Sequence, residues 1–388
     1  MKKELEGYLD CGLLCRGFAR VRCDGCEETR LVAFSCKGRG FCPSCLGRKM
    51  SATAAHLIED VLPGGVPLRQ WVLTFPFAWR KRLGYDAPLS ARLTRIFVTT
   101  VLGFYRAAGV RAQCGQSGAV VSVQRTSSDL KLNPHLHAVF LEGAYRGADT
   151  SGEPKFESLG HISTRDVASV LERVRARMTK FLRRKGLLEE SEEVAEAERT
   201  TSSAGEGLAS LAASAATGTS PPAGPEWRRG GLPVVRRPMV LERPLCVALD
   251  GFTLHAATRA GGLDTEGREA LLKYILRPAI AQERVTSGAE GLVRIALKRA
   301  FSDGTVAVDL DPLSLLSRLV AAVPAPRFHT VRYAGVLGSA SKLRARIVPS
   351  RARQTVASEA PPEAPPEDPS DAAESPRRPR YRPWAELL

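Results

Sequence analysis

The sequence predicts an α+β chain, an antiparallel sheet with flanking helices, preceded by a small cysteine-stapled module. Three observations predict it. β-Branched and aromatic segments alternate with amphipathic ones in the order strand, helix, strand, strand, helix, which suits a sheet covered by helices. Seven of the nine cysteines fall within the first 45 residues, where apolar residues are too few for a core of their own. Hydrophobic residues make up 44% of 388 residues, enough for a substantial core in two or three domains.

Residues 1–50 form the module. Cys23-x2-Cys26 is followed after fifteen residues by Cys42-x2-Cys45, the spacing of a four-thiolate zinc site. Cys36 lies between the pairs and can replace a partner. Cys11 and Cys15 could bind a second ion but are read as not doing so, and Cys114 and Cys246 are read as buried thiols. Arg16, Arg20, Arg22, Arg30, Lys37, Arg39, Arg48 and Lys49 outnumber Asp24, Glu27 and Glu28. Phe18, Phe34 and Phe41 are read as the mini-core, and the arginines as a contact surface for phosphates.

Residues 51–187 carry the first part of the main domain. "SATAAHLIEDVL" reads as a helix capped by Ser51, and "LRQWVLTFPF" as a strand ended by Pro76. "SARLTRIFVTTVLGFYRAAG" has helical periodicity and closes on Gly109. "GAVVSVQR" is a strand, and "NPHLHAVFLEG" the next, with Pro134 at its first residue. "TRDVASVLERVRARMTKFLRRKG" is an amphipathic helix. Residues 188–238, rich in Ala, Ser, Gly and Glu, read as a low-complexity insertion or linker. Order returns over 239–349, where "GREALLKYILRP" reads as a helix stopped near Pro278. The Pro-rich, charged tail 350–388 reads as disordered.

Lys and Arg number 56 against 41 Asp and Glu, a net charge of +15, which points to a polyanionic partner such as nucleic acid. No run reaches the roughly 18 apolar residues of a bilayer span. The N-terminus lacks the apolar stretch of a secretory signal, so a reducing cytoplasm is expected, with cysteines as metal ligands or free thiols. No P-loop string is present, so no ATPase is expected.

Two of the six histidines sit one residue apart, at His135 and His137. On a strand they share a face, and two imidazoles on a rigid strand make a metal half-site. Taken alone, they read equally well as unrelated polar residues at a strand end. Tyr274 lies on a helix with Lys273 and Arg277 beside it. A tyrosine hydroxyl can attack phosphorus, and Arg277 can neutralise phosphate charge. By itself, however, such a tyrosine reads more readily as a ring in the core with its hydroxyl in water.

Several strings converge on one family: "CGLLCRGFARVRCDGC", "LVAFSCKGRGFCPSC", "RQWVLTFPF", "LNPHLHAVFLEG", "GFTLHAATRA", "KYILRPAIAQERV", "LKRAFSDGT" and "VPAPRFHTVRYAGVLG". In this order the chain resembles the rolling-circle transposases of insertion sequences in the HUH endonuclease superfamily, in the branch with an N-terminal zinc-binding domain. The resemblance implies an HUH-type antiparallel sheet with the His strand central. It implies His135 and His137 as ligands of Mg2+ or Mn2+, Tyr274 as the nucleophile, and Cys23, Cys26, Cys42 and Cys45 as the structural Zn2+ set. It implies single-stranded DNA of the element's termini as substrate. Host replication machinery or a helicase would separate the strands, and the protein would act in a bacterial-type cytoplasm at the nucleoid. Two-tyrosine members carry a second tyrosine where this chain has Ala270, so one nucleophile is expected. A water, a 3′-hydroxyl or a second subunit would then resolve the intermediate. Gln124 is favoured as third ligand, with Asp129, His329 and His255 as alternatives. Lys298, Arg299, Arg327 and Arg332, with Arg277, are candidate DNA contacts by charge. A plasmid-type replication initiator and a non-catalytic zinc-module DNA-binding protein are the rival readings.

Overall fold

The computed structural model describes residues 2–36, 42–108, 115–146, 153–189, 231–301, 303–324 and 328–348. Helix α1 (Lys2–Leu9) leads to a hairpin of β1 (Phe18–Arg22) and β2 (Thr29–Ala33). Helix α2 spans Pro43–Asp60, so it begins eight residues before the expected Ser51 cap and runs on across position 50. Proline explains this start: its fixed φ and missing N–H suit the first helical position. Phe18 and Phe34 are about half exposed, so the expected phenylalanine mini-core does not form from these two; Phe41 lies outside the described residues.

The main domain follows with β3 (Leu68–Thr74), α3 (Arg80–Tyr85), α4 (Ala87–Ala108), β4 (Gly118–Thr126) and β5 (Leu132–Leu141). A hairpin of β6 (Gly143–Arg146) and β7 (Lys155–Ser158) leads to α5 (Thr164–Arg184). Ser163 and Asp166 form a reciprocal capping box at the start of α5. Two short parallel strands, β8 (Leu188–Glu189) and β9 (Leu232–Pro233), bracket the low-complexity stretch, whose residues 190–230 lie outside the described residues, as does the tail from 349. Then come β10 (Val240–Arg243), β11 (Cys246–Leu249), β12 (Phe252–His255) and β13 (Arg259–Ala260). Helix α6 (Thr265–Leu276) is capped by Asp264 and ends at Arg277, before Pro278. A three-stranded sheet of β14 (Val285–Ser287), β15 (Val293–Ala296) and β16 (Ala307–Leu310) is followed by α7 (Pro312–Ala322), β17 (Val331–Gly335) and α8 (Arg344–Ile347).

The large sheet runs β10-β11-β12-β3-β5-β4-β17, with β13 also on β3, and every pair in it is antiparallel. Strand β5 is therefore interior, as its apolar run requires. It begins at Leu132, two residues before the expected Pro134. The proline is tolerated because β4 breaks register between Gln124 and Thr126, where no ladder donor is required. Leu136, Ala138 and Phe140 point into a core with Trp71, Leu73, Phe97, Val121 and the apolar face of α5. Val139 and Leu141 point the other way, against Leu57 of α2 and Leu272 and Ile275 of α6. His135 and His137 share this second face by the two-residue period. The far end of β5 is pinned by fully buried Glu142, which accepts from Arg69 Nε at 2.7 Å and also pairs with Arg259. No described helix is long and apolar enough to cross a membrane.

Candidate functional site

The register sets out the site row by row. His135 lies opposite Thr74 on β3 and Gln124 on β4; His137 lies opposite Val72 and Ser122. Helix α6 packs across this face through Leu271, Leu272 and Ile275, which leaves Tyr274 over the histidines. The Tyr274 ring centroid is 5.7 Å from that of His137, edge to face, and the two imidazoles are 5.0 Å apart. Tyr274 is 44% exposed, so its hydroxyl reaches the surface while its ring closes the site. Arg277 stacks 4.1 Å above the Tyr274 ring centroid, with Nη2 3.5 Å from the hydroxyl. Ala270, one turn earlier, is exposed and offers no second hydroxyl.

Both imidazoles are anchored through Nδ1. His135 Nδ1–H donates to the Asn133 carbonyl at 2.6 Å, which leaves the lone pair on Nε2. His137 Nδ1 lies 2.6 Å from the side-chain amide of buried Gln70. Its Nε2 is buried without any hydrogen-bond partner. A buried polar atom of this kind costs free energy unless something binds it. Burial lowers the His135 pKa, helped by Arg277, Arg80 and Lys298. Burial, then His135, Arg277 and Lys298, pushes His137 down to about 2. Both rings are therefore neutral near pH 7, the form that ligates a metal. Two neutral imidazoles on one strand face, with the Nε2 of His137 orphaned in the interior, fit a divalent ion.

The remaining candidates fall in different places. Gln124 stands directly beside His135; its Nε2 donates to the Ile275 carbonyl at 3.1 Å, and its Oε1 accepts no hydrogen bond among the described residues. Asp129 is buried in the β4–β5 loop, where it accepts from Ser127 Oγ at 2.5 Å and the Lys131 amide at 3.3 Å. His255 lies opposite Val72, so a full strand separates it from His137. His329 is exposed. Lys298 stands at the surface, yet desolvation and then Arg277 and Arg284 lower its ammonium pKa to about 8. Arg299 is exposed. Arg332 lies opposite Val121, on the face away from the histidines, and Arg327 lies outside the described residues. Sequence reasoning missed Gln70, Arg80 and Arg284.

The cysteine set requires a correction. Cys42 and Cys45 are joined not by Cys23 and Cys26 but by Cys11 and Cys36, all four within 4.8 Å of one another. Sγ–Sγ distances are 3.6 Å for Cys11–Cys42, 3.5 Å for Cys11–Cys45 and 3.4 Å for Cys36–Cys45. Bonds of about 2.3 Å to a tetrahedral zinc require sulfur–sulfur edges of about 3.8 Å, which this cluster approaches. Burial raises the Cys42 thiol to about 11. It opposes but does not prevent the lowering of Cys45 to about 6 by Cys36, Cys11, Cys42 and Arg48. The reason for the exchange is hairpin length. Phe18 pairs with Ala33 at the base and Arg22 with Thr29 near the tip, so five-residue strands carry exposed Cys23 and Cys26 roughly 15 Å from the base. Cys11 and Cys36 flank that base, beside the first turn of α2. Cys15 is exposed, and Cys114 lies outside the described residues.

With this geometry in view, two family models match the chain. The one described as Putative transposase covers residues 118–344, and the transposase zinc-binding domain of IS91 type covers residues 1–75. No curated protein and no solved structure matches. The first match spans more than half the chain, and the chain belongs to that transposase family.

Proposed function

We propose that this transposase-family chain is an HUH-type single-strand DNA endonuclease and strand transferase, working through a 5′-phosphotyrosine in rolling-circle transposition. The observation that carries the reading is the orphaned Nε2 of His137 beside His135, under the ring of Tyr274. His135 and His137, with Gln124 Oε1 as third donor, would hold Mg2+ or Mn2+. When bound, such an ion supplies Lewis-acid polarisation of a phosphodiester.

The chain's own groups do the rest. Tyr274 Oη attacks the phosphorus as it loses its proton. The new P–Oη bond forms while the P–O3′ bond breaks, and the departing 3′ oxygen takes up a proton as a free hydroxyl. Arg277, stacked on the attacking ring, neutralises charge that grows on the phosphate. With Ala270 one turn away, the helix offers one nucleophile for one cut strand. The Cys11, Cys36, Cys42 and Cys45 cluster would hold a structural Zn2+ and fix the basic hairpin on α2. Element termini as target, and a host helicase or replication for strand separation, belong to the same proposal.

The test is cleavage of end-labelled single-stranded DNA from the element's termini with Mg2+ or Mn2+, read on a denaturing gel. The expected product is a labelled band migrating with protein, lost in Tyr274→Phe and lost with EDTA. DNA binding with no covalent band, for either strand and either ion, would overturn the nuclease reading in favour of a non-catalytic DNA-binding protein.

A further inference from the structure

Four cations converge on the histidine face, and none makes an ion pair among the described residues. Arg80 follows the end of β3; its Nε donates to the Phe75 carbonyl at 3.4 Å, one residue past Thr74, the partner of His135. Arg277 lies on Tyr274. Arg284 is braced between the β4–β5 loop and the end of β15, donating from Nη2 to the Ser128 carbonyl at 2.6 Å and from Nε to the Ala296 carbonyl at 2.7 Å. Its Nη1 is buried with no partner. Lys298 follows Ala296 by two residues. The charges act on one another across the site: Arg277, Arg80 and Lys298 on His135, and Arg277 and Arg284 on Lys298. Glu283 is felt by Arg284 but is not within ion-pair distance.

This grouping is built by the fold. Ser128 sits in the loop that delivers the histidine strand, and Arg284 ties that loop to the three-stranded sheet. Leu130 from the same loop completes the small core of Ile280, Ile295 and Leu310. That sheet is thereby fixed beside the histidines with Arg284 and Lys298 on it. Arginines held by neutral carbonyls keep their full charge, and four unneutralised cations repel one another until an anion enters. One phosphate does not account for cations spread over the exit of β3, the end of α6 and the three-stranded sheet. A row of phosphates does.

We propose that Arg80, Arg277, Arg284 and Lys298 form a track for a single-stranded DNA backbone, with Arg80 and Arg284 holding the phosphates on either side of the one at the histidines. The track positions the strand without reading its bases. It rests on the nuclease reading for the identity of the central phosphate, but its binding is separable from catalysis.

The test uses the full chain carrying Tyr274→Phe, in EDTA, with fluorescently labelled oligothymidine and anisotropy across a salt series. Each single-strand phosphate contact contributes a slope of about −0.7 in log K against log salt. Arg80→Gln, Arg284→Gln and Lys298→Gln should each lessen the slope by about 0.7 and weaken binding several-fold. Arg92→Gln, in a groove with Val121 and Arg332 on the other face, should leave it unchanged. Arg284→Gln also removes two structural bonds, so if it lowers the melting temperature, Arg80→Gln and Lys298→Gln carry the test. Unchanged slopes in those two variants, with native melting, would overturn the track even if the parent chain forms its covalent product. Reduced slopes with no covalent product from the parent would uphold the track and overturn the nuclease reading.

Discussion

In the proposed metal site, Gln70 would decide which nitrogen of His137 is offered to the ion. Its amide nitrogen faces His137 Nδ1 at 2.6 Å, deep in the sheet. In that orientation the amide donates, and the imidazole proton stays on Nε2. Turned by 180°, the amide places Oε1 there; Nδ1–H then donates to it and Nε2 bears the lone pair. The two orientations have nearly the same shape, so metal binding at the proposed site would select the second. Gln70→Leu keeps the volume and removes both. The buried Nδ1 then loses its partner, at a cost of about 1–3 kcal/mol to the folded metal-free chain. Loss of such an outer partner weakens metal binding about 10–100-fold, or roughly 1.4–2.8 kcal/mol. Gln70→Glu retains an acceptor and should bind at least as tightly as the parent. Calorimetric titration of Mn2+ into chelator-treated protein measures both. A Gln70→Leu chain that melts normally and binds Mn2+ within twofold of the parent would refute the assignment of Gln70 as a positioning residue.

Two further outcomes are expected. Zinc content by metal analysis should fall sharply in Cys36→Ser and Cys11→Ser but persist in Cys23→Ser, because only the first two join Cys42 and Cys45; the reverse pattern would restore the CxxC-to-CxxC quartet. Metal-free stability should also fall on acidification. His137 stays neutral down to about 2 in the folded chain, whereas in the unfolded chain it titrates near 6.5. The stabilisation is fully present above about pH 6.5. Below it, only the unfolded state gains the proton, and stability declines by about 1.4 kcal/mol per pH unit. Urea melts should therefore show about 2 kcal/mol more loss by pH 5 in the parent than in His137→Gln. Equal losses in the two would mean that His137 is not held neutral.

The parts of the fold legible in the sequence are those set by local period. The strands at Leu68–Thr74, Gly118–Thr126 and Leu132–Leu141 and the helices at Thr164–Arg184 and Thr265–Leu276 follow alternation, capping and Pro278. Placing both histidines on one face also needed nothing beyond the two-residue period. Gln124 could be weighed because a neighbouring strand was expected, but its place opposite His135 depends on register, which a one-residue slip would reverse. The cysteine set was misjudged because spacing counts residues, whereas ligation depends on where the chain turns. "FARVR" and "TRLVA" around Cys23-x2-Cys26 are strand-like on both sides, and reading them as a hairpin carries that pair to the tip and returns Cys36 towards Cys11. Gln70 left a fainter signal: a lone amide within the apolar run "LRQWVLT" must find a partner once the strand is interior. Arg80 and Arg284 left none. Each is one arginine among many in a chain of net charge +15, and a local field is a sum over positions that only the tertiary fold brings together. The same dependence explains why such a site can assemble on the edge of a separate small sheet. Arg284 and Lys298 need only be delivered to the histidine face, and the Ser128–Leu130 loop, bound to that sheet through Arg284 and the Ile295 core, delivers them.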